Sequence, residues 1–128
     1  MASRARLDGL ARALRAVGQI PEAMREARAE TLHEWAEETR TGAEERAPQR
    51  TGALDNALDH DVDEQYGRAE VGVWDPEVLE YALYVEKGTS SMDAQPYLLP
   101  AFEAARPAVT RTYRAAVRRR LREAGDGG

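Results

Sequence analysis

Leu7, Leu10, Leu14 and Val17 recur at steps of three and four, and this spacing predicts a short amphipathic helix over residues 4–17, stopped at Gly18. Pro21 fits the first position of a second helix, with Glu22 and Glu26 placed favourably for its dipole. That helix is expected to run to about Arg46. Met24, Ala27, Leu32, Trp35, Ala36 and Ala43 lie along one broad face, and Glu30, Glu34, Glu37, Glu38, Glu44 and Glu45 lie opposite, before Pro48 ends it.

Thr51-Gly52 is turn chemistry, and from Leu58 the period changes from helical to alternating. Leu58, His60, Val62, Glu64 and Tyr66 share one face of an expected strand. After Gly67, residues Ala69, Val71 and Val73 alternate with Glu70, Gly72 and Trp74. Residues 57–66 and 68–74 therefore read as a β-hairpin. Asp75-Pro76 opens a short helix with Asp75 as N-cap. Val78, Leu79, Ala82 and Val85 are its apolar side, and Gly88 closes it. A loop over 88–96 leads to a final helix from about Leu98 or Pro100 to Ala124, with Pro107 as a point of kinking. On it Val109, Tyr113, Val117 and Leu121 form an apolar stripe, and Arg111, Arg114, Arg118 and Arg122 a basic one.

The layout is α+β: an N-terminal helix, a long helix, a small antiparallel hairpin, a short helix and a long C-terminal helix. A chain of 128 residues is one domain's worth. Residues 1–20 read as a helical extension, 21–124 as the core and 125–128 as a frayed tail.

Composition removes several function classes. With no cysteine, disulfide scaffolds, cysteine nucleophiles and cysteine-based metal sites are excluded. No apolar run has the length of a membrane span, and the arginines near the start are not followed by the apolar stretch of a signal peptide. The expectation is a protein made in a cytoplasm, with no membrane partner. The net charge of −5 conceals a pattern. Residues 1–20 carry four arginines and one aspartate, residues 21–105 seven basic and twenty acidic groups, and residues 106–128 seven arginines and two acids. Basic ends around an acidic body point to electrostatic pairing within the fold or between copies.

The chemistry-bearing patterns are thin. Asp59, Asp61, Asp63 and Glu70 match several positions of a calcium loop, but Glu64 stands where the sharp turn needs glycine. His33 and His60 have no nucleophile at motif spacing, and there is no phosphate loop, dinucleotide fingerprint or HExxH. No cofactor, metal or catalytic residue is assigned, and an enzyme is not expected. The Arg118-Arg119-Arg120 run could grip phosphates, against a solvated face or one paired with acidic neighbours. The stretch from Tyr81 to Ala101 concentrates small residues, prolines and aromatics at a helix–loop–helix junction, the composition of a binding loop or of a rigid corner.

Four pieces recur in order along the chain. They are Ala47-Pro48 with Thr51-Gly52-Ala53-Leu54, Val71-Gly72-Val73, Tyr81-Ala82-Leu83-Tyr84-Val85-Glu86-Lys87-Gly88-Thr89, and Ala94-Gln95-Pro96-Tyr97-Leu98-Leu99-Pro100-Ala101. In order and spacing, over roughly residues 21–120, this set resembles the phage gene-ten-like tail-component family, small neck proteins of long-tailed phages. Lys87 stands where the family has an aromatic, which removes a hydrophobic contact. Tyr97 stands where it has Phe, which keeps the ring.

The resemblance implies an α+β structural protein of the virion, located at the head–tail junction and assembled in the host cytoplasm. It would act as a ring of copies that meets neighbouring neck, head-closure and tail-tube proteins and helps join or complete the tail. The motif residues it carries over are Thr51, Gly52, Leu54, Tyr81, Ala82, Val85, Glu86, Gly88, Thr89, Gln95, Pro96, Tyr97 and Pro100. The Gly88–Pro96 loop and Arg111, Arg114, Arg118 and Arg122 are the candidate contacts, the arginines pairing with the Glu-rich helix of a neighbour. Two alternatives stand beside it: a nucleic-acid-binding module using the same arginines, near DNA or on it, and a small prophage accessory protein.

Overall fold

The computed structural model describes residues 4–48 and 52–126, with side chains placed for 21–48 and 52–123. The chain adopts the α+β layout, in the order α1 (Arg4–Arg46), α2 (Ala53–Ala57), β1 (Leu58–Asp63), β2 (Arg68–Val73), α3 (Pro76–Lys87) and α4 (Leu98–Asp126).

One correction concerns the start. The helix expected to stop at Gly18 instead runs through Gly18 and Pro21 as a single element of 43 residues, about 64 Å long at 1.5 Å per residue. Glycine and proline are penalties in a helix interior, roughly 1 and 3 kcal/mol, and not prohibitions. The three-and-four spacing of Leu7, Leu10, Leu14 and Val17 continues in phase through Ile20 and Met24, so one helix serves both stripes. Likewise α4 continues through Pro107. The five-residue α2 was not expected. It starts at Gly52, whose φ of 73° is the left-handed conformation that glycine adopts without strain. Thr51 lies outside the described residues.

The hairpin pairs Leu58 with Val73, His60 with Val71 and Val62 with Ala69 on its inner face, and Asp59, Asp61 and Asp63 with Gly72, Glu70 and Arg68 on its outer one. The first strand is shorter than the expected 57–66. Asp63 Oδ1 accepts from the Tyr66 amide at 3.1 Å, and Gly67 turns at φ 68°. This tight turn takes Glu64 and Tyr66 out of the strand. Arg28 of α1 donates to the Glu64 and Gln65 carbonyls at 3.1 and 3.4 Å, which ties the turn to the long helix.

α4 lies antiparallel along α1. A side chain at Gly42 would stand 3.3 Å from the Ala101 Cβ at one end, and Arg120 reaches Glu26 at the other. Small residues line this contact: Ala23, Ala27, Ala101, Ala105 and Ala116 are all buried. Small side chains let the two helix backbones approach closely, at the cost of a lean core. The main core gathers at the C-terminal end of α1, where Ala43, Ala47, Leu54, Leu58, Ala82, Val85, Tyr97 and Ala101 form one cluster.

Candidate functional site

The motif-bearing stretch folds into a corner between α3 and α4, built largely from local hydrogen bonds. Asp75 caps α3 as expected, accepting from the Glu77 amide at 3.0 Å, with Pro76 in the first turn. At the other end the Gly88 amide donates to the Tyr84 carbonyl at 2.6 Å. Gly88 has φ 77°, and a Cβ there would stand 2.8 Å from the Ala94 amide nitrogen and 3.0 Å from the Met92 carbonyl oxygen. Only glycine meets both conditions. The loop then folds back on α3: Thr89 and Met92 bridge, and the Gln95 amide donates to the Val85 carbonyl at 2.8 Å.

Two side chains lock α4 onto this corner. Glu86 Oε1 accepts from the Leu98 amide at 2.7 Å, so a carboxylate on α3 satisfies one of the orphan donors at the N-terminus of α4. The Tyr97 ring is 3% exposed, and its hydroxyl donates to the Ala82 carbonyl at 3.0 Å. Burial, aided by the nearby Glu86 carboxylate, pushes the Tyr97 hydroxyl up to about 12. Leu54, Ala82, Val85 and Tyr97, drawn from three separate motif pieces, therefore meet in one cluster. Tyr81, Thr89, Gln95 and Pro96 are exposed, and Pro100 is half-buried. Lys87 is exposed in the last turn of α3. The hydrophobic contact expected to be lost there is thus not one of the core, and the ammonium suits that helix end.

The charged helices divide into a paired and an unpaired part. Arg119 bonds Glu30, and Arg120 bonds Glu26 at 2.9 Å and Glu30 at 3.3 Å. Desolvation opposes the charge on Arg120, but the Glu26 and Glu30 carboxylates outweigh it and raise its pKa. Part of the arginine run thus pairs with the Glu-rich helix within one chain, the first of the two pairings that the charge pattern left open. Arg111, Arg114, Arg118 and Arg122 are exposed and, among the described residues, enter no ion pair.

Sequence reasoning missed an apolar groove between α1, β2 and the first turns of α4. It encloses about 470 Å³ over Trp35, Val71, Leu98, Leu99 and Phe102. Trp35 and Phe102 meet edge to face with centroids 5.4 Å apart. A second hollow of about 440 Å³ continues past them toward Arg106 and Val109. The only signal was an excess of apolar residues at Leu98, Leu99 and Phe102, ahead of the 109–121 stripe.

The remaining candidates stay apart. Asp59, Asp61 and Asp63 lie along an extended strand, where alternate residues are roughly 6.6 Å apart and do not wrap an ion. No group of three metal-ligating side chains occurs among the described residues. His33 Nε2 pairs with Glu64 Oε1 at 2.8 Å on the surface, while His60 faces inward with Nδ1 unpartnered. None of the described helices is long and apolar enough to cross a membrane.

Fold and site together define an α+β helix–hairpin protein with a rigid motif corner, two charged helix faces and one apolar groove. Comparison with known proteins adds nothing further: no family model, no curated protein and no solved structure matches the chain.

Proposed function

We propose that the chain is a structural, non-enzymatic subunit of the head–tail junction of a long-tailed phage, working as a ring of copies that helps join tail to head. The observation that supports this reading is the convergence of the motif pieces. Leu54, Ala82, Val85 and Tyr97 are spread over more than forty positions of the sequence, yet pack as one cluster, with Glu86 capping the helix that follows. Its partners are further copies, head-closure and neck proteins, and the tail tube.

The test is electron microscopy of a lysate from a phage with an early stop codon in this gene. Filled heads beside separate tails of normal length are expected. Tails of irregular length move the protein to tail termination, and ordinary infectious virions refute the reading. A second reading, nucleic-acid binding, draws on the four exposed arginines of α4. It requires a mobility shift of DNA that fades with salt, because phosphate contacts release counterions.

A further inference from the structure

We propose that the exposed arginines of α4 and the exposed glutamates of α1 are the two halves of one contact between copies of this chain. Arg111, Arg114, Arg118 and Arg122 project from α4, and Glu34, Glu37, Glu38 and Glu45 from α1. All eight are exposed, and among the described residues none enters an ion pair. Each stripe covers eleven residue steps, about 16 Å of helix axis, so the two match in length as well as in sign. The chain already joins these helices in this way. Within one copy Arg119 and Arg120 of α4 hold Glu26 and Glu30 of α1, with the helices antiparallel. The unpaired stripes carry the same chemistry, with Glu37, Glu38 and Glu45 lining the edge of the α1–α4 seam beside Ala101 and Ala105.

A second copy is the partner of choice for two reasons: both halves lie on the same chain, and their spans are equal. Because the halves sit on different helices, the contact is heterologous. A copy that offers its arginines to a neighbour leaves its own glutamates open to the next, and such contacts close into a ring or run on as a filament. The proposal deepens the neck reading, on which the ring rests, while the contact itself is a property of the purified chain.

The experiment uses the full chain and two charge-swapped variants. One carries Arg111→Glu, Arg114→Glu and Arg118→Glu; the other carries Glu34→Arg, Glu37→Arg and Glu38→Arg. Arginine and glutamate have similar helix propensity, so far-UV circular dichroism should match the parent. Self-association is followed by sedimentation velocity from about 0.01 M to 1 M salt, over which the screening length falls from roughly 30 Å to 3 Å. The parent should associate at low salt and dissociate at high salt. Each variant alone should associate at least about tenfold more weakly. An equimolar mixture of the two, or one chain carrying both swaps, should recover the parent's association.

The chain carrying both swaps restores the complementary pattern by itself, so it decides the test where one single-swap variant folds poorly by circular dichroism and its mixture is set aside. A parent that stays monomeric at low salt overturns the proposal. So does association that ignores the swaps, or a mixture that fails to recover it. A salt-sensitive shift of duplex DNA by the parent, lost with the arginine swap, overturns it by assigning the stripe to phosphates. The stop-codon phage is an independent readout. Severed heads and tails with no swap effect would leave the neck reading standing and remove only this contact.

Discussion

Tyr97 makes the corner's stability depend on alkaline pH in a way that can be calculated. Its hydroxyl is raised from 10.0 to about 12 in the fold, first by burial and then by Glu86. A raised pKa means that the unfolded chain loses this proton first. The contribution is complete below pH 10 and disappears as pH climbs through the folded value near 12. Two pH units correspond to about 3 kcal/mol, of which about 2 kcal/mol should be lost by pH 12. The control is Tyr97→Phe, which keeps the ring and removes the titrating group. At neutral pH it should cost about 0.5–1.5 kcal/mol, because one hydrogen bond to the Ala82 carbonyl is lost. That carbonyl keeps its place in the helical ladder of α3, which holds the cost down. Urea unfolding followed by circular dichroism, at intervals from about pH 8 to 12, gives both curves. The phenylalanine chain should start less stable and finish equal to or above the parent. Parallel curves would mean that Tyr97 is not shifted and that the burial argument for the corner is wrong.

Three further outcomes follow from the same geometry. Gly88→Ala should destabilise by about 1–3 kcal/mol for its extended positive-φ backbone alone (φ 77°, ψ 172°), with more from the Cβ lying 2.8 Å from the Ala94 nitrogen; unchanged thermal stability would contradict the described loop. Glu86→Ala should cost about 0.5–2 kcal/mol through the lost cap on Leu98, and Glu86→Gln, which retains an acceptor oxygen, should recover much of it in the same melt. Arg120→Ala breaks pairs to Glu26 and Glu30 that remain partly exposed, so a small loss that shrinks with added salt is expected; a large, salt-independent loss would mark packing, not charge, as its role.

How far the sequence could be read depended on where each signal resides. The start of α3 was legible because Asp75, Pro76 and Glu77 are adjacent and the cap forms among them. Gly67 and Gly88 were legible for the same reason, as turns that need positive φ. The hairpin's inner face followed from simple alternation, although the acidic outer face sets Asp61 against Glu70 across the strands, a like-charge pairing that works against a sheet. Misreadings arose where a local penalty lost to continuity. Gly18 and Pro21 discourage a helix, but the apolar phase crosses them unbroken, and α1 runs through both. The five residues of α2 are too few for any period to show. The groove was invisible because Trp35, Val71 and Phe102 come from three elements and share nothing in sequence. The cap of Glu86 on Leu98 was equally hidden, since donor and acceptor belong to different helices twelve residues apart.

The division of labour between motif and surface bears on what a family resemblance can say here. The motif residues that the structure buries or bonds, Leu54, Ala82, Val85, Glu86, Gly88 and Tyr97, are occupied in holding α4 against α3 and α1. Their side chains are spent on the corner, so they specify a shape and not a partner. What remains to contact other molecules lies outside that set: the arginines of α4, the glutamates of α1 and the groove over Trp35 and Phe102. Two chains sharing the corner could therefore differ completely in these surfaces and still carry the same motif. For this chain, the contact proposed above uses the unpaired helix faces. Their complementary signs and equal lengths are features that no residue of the corner requires.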